Sequence, residues 1–130
     1  MGKRSTGRRL AMQVLFQLDM GQADVDFALN ASAESEQFLG ETVTFAKNIV
    51  EGVQKNLSEL DAFITEKSIG WSLERITAVD KAILRSAVYE IRYLETPASV
   101  VINEAVNLAK RFSTDDSSKF VNGILGTLVP

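Results

Sequence analysis

The spacing of apolar residues is the feature of this 130-residue chain that most limits its fold. Apolar side chains recur at three- and four-residue intervals almost throughout, as in amphipathic helices, and no short run alternates as a strand does. A chain of this length is sufficient for one ordinary core and too short for two. We therefore predict an all-α fold in which residues 1–130 form a single domain. We expect a compact bundle of about seven helices in two small subbundles, roughly 1–57 and 58–130.

The first half of the chain is predicted to contain four helices. The first covers about residues 5–20 and ends at Gly21, and a second, weaker helix lies in the acidic segment QADVDFALNA. We expect the polar stretch ASAESE that follows to be a loop. The third helix covers about residues 35–55. Ser58 is the expected N-cap of the fourth helix, which reaches about Lys67.

The second half is predicted to contain three more helices. Gly70 and Trp71 mark a turn before them, with Trp71 expected in the core. An apolar stripe from Ile76 to Leu94 defines the fifth helix, which Pro97 ends. The sixth and seventh helices lie in SVVINEAVNLAKRF and SSKFVNGILGTLV, and the STDD between them supplies a cap.

The composition excludes several classes of chemistry. The sequence contains neither Cys nor His, so it has no disulfides, none of the usual zinc or iron ligand sets and no Ser-His or Cys-His nucleophile pair. A hydrolase built from carboxylates alone is the enzymatic alternative that stays open. No apolar run approaches the roughly 18 to 20 residues of a membrane-spanning helix. We therefore expect no cofactor, no metal and no membrane partner. The absence of cysteine leaves the compartment open, and the cytoplasmic location that we expect is compatible with it.

Charge is distributed unevenly along the chain, whose formal net charge is −3. Residues 1–18 contain four cations and no acid, whereas residues 19–66 contain ten acids and two cations. Residues 67–130 are close to balanced. A polyanion would meet one basic end on an otherwise repulsive molecule, so we expect any electrostatic contact to be concentrated at the first helix.

The first helix has two faces of different composition. At about 100° per residue, five apolar residues share its core face. They are Leu10, Ala11, Val14, Leu15 and Leu18. Arg9, Met12, Gln13 and Phe16 are predicted to point away from the core, with Arg8 on the flank of this outer face.

The outer face carries the chemistry of single-stranded RNA recognition. Arginine binds phosphate, an amide pairs with a base edge and an aromatic ring stacks on a base. An ordinary solvated helix end is the simpler alternative. A cleaved organelle presequence is also rich in Arg and Ser, but it fits poorly because residues 10–18 are needed for the core.

The start of the last helix is a second candidate for binding. Asp115 or Asp116 is expected to cap this helix, and Lys119 is expected to project outward. Glycine inside a helix costs about 1 kcal/mol relative to alanine, so we expect another backbone to approach Gly123 closely. A cap with tight packing is the alternative that needs no ligand.

Several motifs together resemble the NusB family of bacterial transcription antitermination factors. They are an Arg-rich start leading into RRLAMQVLFQLD, then VDKAILRSAVYEI, a proline, VVINEAVNLAKRF and finally DDSSKFVNGIL, in the family's order and spacing. The most specific part is VVINEAVNLAK together with SKFVNG. The resemblance spans essentially the whole chain.

The resemblance implies an all-helical protein of two subbundles that binds the boxA sequence of nascent ribosomal RNA leaders. It implies that the RNA is bound together with NusE, a small-subunit ribosomal protein, within a larger complex of other Nus factors and RNA polymerase. Such a complex reads through terminators and aids ribosome maturation. No catalysis is implied.

The family's functional positions carry over to four groups of residues. The basic segment falls on Lys3, Arg4, Arg8 and Arg9. The glutamine and aromatic positions fall on Gln13 and Phe16, and the last-helix positions fall on Asp116, Lys119 and Phe120. The resemblance places the NusE surface around Glu74, Asp80 and Arg85.

This sequence departs from the family pattern at a few of these positions. Ser5 and Thr6 stand where many members have further arginines, and Ser118 replaces a frequent histidine. Phe16 stands where tyrosine is common, and Arg9 is often an acid in relatives. Fewer cations weaken phosphate attraction, and Arg9 partly restores it.

Two alternatives to an RNA-binding antitermination factor stay open at this point. In the first, the chain is a helical protein-interaction module or homodimer that buries Met12 and Phe16 against another chain. In the second, the chain is the binding module of a ribosomal RNA cytosine methyltransferase, because such enzymes carry a similar domain ahead of a catalytic one. The sequence has no Gly-rich cofactor loop, so it would be the module without the enzyme.

Overall fold

The structure is a computed structural model, and it describes residues 2–22, 24–36, 40–68 and 72–129. Every regular element in these ranges is helical, which confirms the predicted all-α fold. The α-helices are α1 (Lys3–Asp19), α2 (Val25–Glu36), α3 (Gly40–Lys55), α4 (Leu57–Lys67), α5 (Ala78–Tyr93), α6 (Ala98–Phe112) and α7 (Asp115–Leu125). Short 3₁₀ turns cover Leu73–Arg75 and Gly126–Leu128.

Helices α1 and α5 lie at the centre of the bundle and run antiparallel. α1 contacts α2, α3, α5 and α6, while α5 contacts α1, α3, α4, α6 and α7. Two ion pairs show the antiparallel direction. Arg8 near the start of α1 pairs with Glu90 near the end of α5, and Asp19 at the end of α1 pairs with Lys81 near the start of α5. A helix covered on most sides needs apolar residues around its circumference. In α5 these residues include Ala82, Ile83, Leu84, Ala87 and Val88, all buried.

Two glycines allow α3 to pack closely against the central helices. A Cβ on Gly7 of α1 would lie 2.6 Å from Cδ2 of Phe45 and 3.3 Å from the carbonyl oxygen of Thr42. A Cβ on Gly52 of α3 would overlap the ring of Tyr89 on α5. Neither position accepts a side chain unless an aromatic ring moves, because the interior is already close-packed.

Three helix limits in the first half differ from the prediction. α3 begins at Gly40 and not near residue 35, which still belongs to α2. The stretch ASAESE is not a loop but the second half of α2, which continues to Glu36. Alanine and glutamate favour helix enough to outweigh the polarity of this segment. Ser58 lies inside α4 and is not its N-cap, because Asn56 alone separates α3 from α4. The side-chain Nδ2 of Asn56 donates to the carbonyl oxygen of Gly52 at 2.8 Å.

Other predicted boundaries are confirmed. Gly21 follows α1 with a φ of 114°, a left-handed conformation that suits glycine after a helix. Pro97 is the N-cap residue of α6, and α5 ends before it at Tyr93. Gly70 and Trp71 lie outside the described residues, so the turn and the burial of Trp71 stay predictions. The single domain and the division into subbundles at residues 57 and 58 also stay predictions.

The last helix begins with a different cap from the one expected. The hydroxyl of Thr114 accepts a hydrogen bond from the backbone N–H of Ser117 at 3.0 Å, so neither Asp115 nor Asp116 is the cap. The two acids occupy the first turn of α7, where negative charge is favoured by the helix dipole. The close backbone approach expected at Gly123 is wrong, because a Cβ there would meet no atom within 4 Å.

No helix in the part of the chain that the structure describes is both long enough and apolar enough to cross a membrane.

The two helical glycines Gly52 and Gly123 should respond oppositely to alanine. Gly52→Ala forces the ring of Tyr89 to move, and we expect it to lower the free energy of unfolding by about 1–3 kcal/mol. Gly123→Ala is the matched control, since it adds a methyl in open space and removes a helix penalty, so it should raise stability by up to about 1 kcal/mol. Urea denaturation followed by circular dichroism measures both. Equal effects of the same sign would contradict the packing described here.

Candidate nucleic-acid interface

Arg8 does not face outward as predicted but lies buried between helices. Its exposed fraction is 7 %. Nε donates to Oε2 of Glu90 at 2.8 Å and Nη2 donates to Oε1 at 2.6 Å. The two hydrogen bonds form a bidentate ion pair between α1 and α5. Nη1 lies 3.6 Å from Oε1 of Glu104 on α6. The prediction placed Arg8 on a flank of an open face, but α1 is covered there by α5 and α6, so the residue acts in the interior.

The surroundings of Arg8 keep its guanidinium charged. The hydrogen bond to Glu90 raises the pKa of Arg8, and the negative charges of Glu90 and Glu104 add to this effect against the opposing influence of burial. Ser5 extends the network, because its hydroxyl donates to Oε1 of Glu104 at 2.5 Å. Charged groups are rarely buried unless paired in this way. The network therefore joins α1, α5 and α6 at one end of the bundle.

The first two cations of α1 are exposed and lie beside α3. Nζ of Lys3 lies 2.9 Å from Oε2 of Glu41, which lowers the pKa of that carboxyl through the hydrogen bond and the charge of Lys3. Cζ of Arg4 lies 4.9 Å from the centroid of the Phe45 ring, within cation–π range. Exposed contacts of this kind are weak and screened by salt. Both cations can therefore exchange these partners for a phosphate.

Arg9 lines a groove between α1 and α6, which we call the α1–α6 groove. Its volume is about 210 Å³, and Ser5, Glu104, Asn107, Leu108 and Arg111 complete its lining. Asn107 and Arg111 were missed by the sequence analysis, which followed only the apolar stripe of this helix. The sequence pattern that could have identified them lies on the face of α6 opposite its apolar stripe. There, exposed polar residues recur at three- and four-residue spacing. They are Ser99, Asn103, Asn107, Lys110 and Arg111.

Gln13 and Phe16 share a second groove, which we call the central groove. It has a volume of about 450 Å³ and is also lined by Val79 of α5 and Phe112 of α6. Gln13 and Phe16 are both half-buried, so each presents part of its side chain to the groove. Met12 is only 2 % exposed, so its predicted outward direction is wrong. The helix wheel assumed one covered face, whereas α1 is covered by helices on several sides.

Asp116 and Phe120 line a third groove, which we call the α5–α7 groove and which has a volume of about 210 Å³. Asp80, predicted for partner binding, lines the same groove together with Arg75. Asp80 is 5 % exposed, and its Oδ1 makes no hydrogen bond within the described part of the chain. The structure thus brings two predicted RNA residues beside a predicted partner residue.

Lys119 lies apart from its predicted companions on α7. It lines a larger cleft between α6 and α7, with a volume of about 820 Å³, together with Asn103, Lys110 and Asn122. Asp116 and Phe120 line the other groove, against α5. The three predicted residues of α7 therefore belong to two different surfaces.

The three smaller grooves follow one another across the surface. Arg111 lines the α1–α6 groove and its neighbour Phe112 lines the central groove. Val79 lines the central groove and its neighbour Asp80 lines the α5–α7 groove. Neighbouring residues of α6 therefore line the first two of these grooves, and neighbouring residues of α5 line the second and third.

Arg85 is a second predicted contact residue that the structure places in the interior. It is 9 % exposed, and its Nε and Nη2 donate to Oδ1 and Oδ2 of Asp61 at 2.8 and 2.9 Å. Burial lowers the pKa of Arg85, but the hydrogen bonds and charges of Asp61 and Asp19 outweigh it and leave the pKa raised. Arg85 therefore ties α4 to the two central helices. Glu74 is exposed in the turn before α5.

Comparison with known proteins bears on the whole chain. A model of the NusB family matches residues 5–130. The chain belongs to the NusB family. A transcription antitermination protein NusB from Desulforamulus reducens is 43 % identical over 130 residues, covering 99 % of this chain and 90 % of that protein. The Bacillus subtilis protein of the same name is 42 % identical, covering 97 % of this chain and 94 % of its own length.

Solved structures agree with this membership in the NusB family. T. maritima NusB superposes with a TM-score of 0.88 at 33 % identity, covering 98 % of this chain and 90 % of that one. A crystal structure of antitermination factors NusB and NusE in complex with dsRNA superposes with a TM-score of 0.88 over 97 % of this chain and 95 % of that one. Its identity to this chain is 24 %, so that likeness concerns the fold alone. The resemblance to the NusB family is thereby confirmed.

The buried position of Arg8 makes a prediction about stability. Arg8→Met should lower the free energy of unfolding by about 3–5 kcal/mol, because it leaves the Glu90 carboxylate buried without its partner. The double variant Arg8→Met with Glu90→Leu should recover most of this loss, since it removes both charges. Urea denaturation at neutral pH measures all three proteins. A loss below about 1 kcal/mol for Arg8→Met would contradict the structural role assigned to this residue.

Proposed function

We propose that this member of the NusB family is an RNA-binding transcription antitermination factor. It binds boxA RNA of nascent ribosomal RNA leaders together with NusE, within a complex that contains other Nus factors and RNA polymerase. In that complex it promotes processive transcription and ribosome maturation, and it acts in the cytoplasm. The proposal that it performs no catalysis is supported by its membership in a family whose matched relatives are transcription antitermination proteins.

The observation that carries the RNA-binding proposal is the placement of Gln13 and Phe16 in one groove beside a groove lined by two arginines. An unstacked base offers a ring face to an aromatic side chain and polar edges to an amide. The phosphates on either side of that base need cations at the mouth of the groove. Arg9 and Arg111 supply them in the adjoining α1–α6 groove.

The α5–α7 groove supports the partner half of the proposal. A carboxylate oxygen buried without a hydrogen bond is costly, so a donor supplied by a second protein would be favoured there. Asp80 provides that oxygen, and Phe120 provides an apolar wall next to it. The lining combines two acids, Asp80 and Asp116, with the apolar ring of Phe120, which fits a basic or amide-bearing segment of NusE.

The homodimer alternative loses the observation on which it was based. It required Met12 and Phe16 to be open to another chain, but Met12 is packed inside a single chain. Phe16 packs partly against the chain's own core. Light scattering of the protein alone tests the homodimer separately.

RNA binding should depend on the ring of Phe16. Phe16→Leu keeps an apolar side chain in the central groove but removes the stacking surface, so we expect the Kd for boxA RNA to rise at least about fivefold. The measurement is fluorescence anisotropy of labelled boxA and scrambled RNA, with and without NusE. The proposal expects tighter binding of boxA than of scrambled RNA, and further tightening by NusE.

The control variant is Arg92→Met, which removes an exposed cation packed on Phe63 of α4, away from the three grooves. It should leave the Kd unchanged. Asp80→Asn tests the partner half, since it should weaken NusE binding while RNA binding by the protein alone is retained. The absence of any preference for boxA, with NusE present, would refute the proposed function.

A further inference from the structure

We infer that the RNA backbone crosses the exposed face of α6, with its phosphates bound by Arg9, Asn107 and Arg111. This inference deepens the proposed function and rests on it. It assigns a phosphate site to the α1–α6 groove and makes the end of α6 part of the RNA surface. The apolar periodicity of the sequence indicates no role for Asn107, Lys110 or Arg111.

The first support is the position of Arg111 at the junction of two grooves. Its Cζ lies 5.0 Å from the centroid of the Phe112 ring, so the guanidinium stacks beside a ring that lines the central groove. Phe112 is 37 % exposed. A base held in the central groove would therefore have its neighbouring phosphate within the reach of Arg111. Arginine suits this task because its planar fork binds phosphate oxygens in pairs.

The second support is the charge of the α1–α6 groove. Glu104 is the acid in its lining, and its carboxylate is already engaged by the Ser5 hydroxyl at 2.5 Å and by Arg8 at 3.6 Å. Arg9 and Arg111 add two positive charges to the same groove. The lining of the groove therefore has two cations against one acid, so an anion is attracted.

The third support is the composition of the outer face of α6. Its five exposed polar positions are Ser99, two amides and two cations, with no acid among them. Cations in the last turn are also favoured by the helix dipole, which by itself explains Lys110 and Arg111. The dipole does not explain Asn107, one turn earlier, whose amide donates to a phosphate oxygen without adding charge.

The same path accounts for the isolated position of Lys119. Lys110 is the chain neighbour of Arg111 and lines the α6–α7 cleft together with Lys119. A backbone that leaves the α1–α6 groove over the last turn of α6 therefore next meets these two lysines. In this arrangement the bases enter the central groove, and the phosphates lie along the exposed face of α6.

The test uses two variants on α6 and one matched control. Arg111→Met keeps the aliphatic stem over Phe112 but removes the charge, and Asn107→Glu places a negative charge in the phosphate site. The control is Arg92→Met, because Arg92 also stacks on a phenylalanine, with Cζ 5.2 Å from the Phe63 centroid. All three positions are exposed, so we expect the variants to fold normally. Thermal melting curves that match the unaltered protein would establish this.

The readout is the Kd of labelled single-stranded boxA RNA between about 50 and 200 mM salt, measured with NusE present. Arg111→Met should raise the Kd about three- to tenfold at the lowest salt and reduce the slope of log affinity against log salt by about 0.7, the share of one phosphate. Asn107→Glu should weaken binding at least as much. The fold loss should be equal for boxA and scrambled RNA, since phosphates carry no sequence.

Unchanged affinity and salt slope in both α6 variants, with normal binding by the unaltered protein, would overturn this inference and leave the proposed function intact. A loss confined to boxA would also overturn it, because it would mean base recognition and not phosphate binding. No preference of the unaltered protein for boxA with NusE present would overturn the proposed function itself. If Arg92→Met lost as much RNA affinity as Arg111→Met, the effect would come from the net charge of the protein. That result would contradict a phosphate site in the α1–α6 groove.

Discussion

The buried pair between Arg8 and Glu90 is the interaction on which the arrangement of this bundle depends. It joins the two central helices near one end, and Glu104 and Ser5 connect the same charge to α6. A buried charge without its partner is strongly destabilising, so α1 and α5 pack only where Arg8 and Glu90 meet. The pair therefore specifies how α1 is rotated and shifted relative to α5. At the other end of α1, Asp19 with Arg85 provides a second such contact.

The rotation of α1 decides which of its side chains reach the surface. With Arg8 directed inward, its neighbour Arg9 is directed toward α6, and one turn later Gln13 and Phe16 reach the central groove. The proposed binding residues Arg9, Gln13 and Phe16 are spaced four and three residues apart and therefore share one narrow stripe of α1. The buried residues on the other sides of the helix are structural. A change at Arg8 would be expected to disturb RNA binding through the fold, without any direct contact between this residue and RNA.

Much of the fold was predictable because local rules decide it. Helical periodicity predicted the all-α class, and Gly21 and Pro97 marked boundaries through backbone geometry that depends on one residue. The site was predicted less well. Periodicity cannot tell how many helices surround a given helix, so Arg8 and Arg85 were expected at the surface although long-range carboxylates hold them inside. The role of Asn107 depends on the packing of α6 against α1, which no local pattern reveals.

The most direct test of this account compares the arginine side chains themselves. Nε–H resonances of Arg8, Arg9 and Arg111 can be followed by ¹H–¹⁵N NMR while boxA RNA is added in the presence of NusE. The account predicts that the Arg9 and Arg111 signals shift with RNA, whereas the Arg8 signal stays in place, because its Nε–H remains bonded to Glu90. A shift of the Arg8 signal as large as that of Arg9, or no shift of either Arg9 or Arg111, would contradict it.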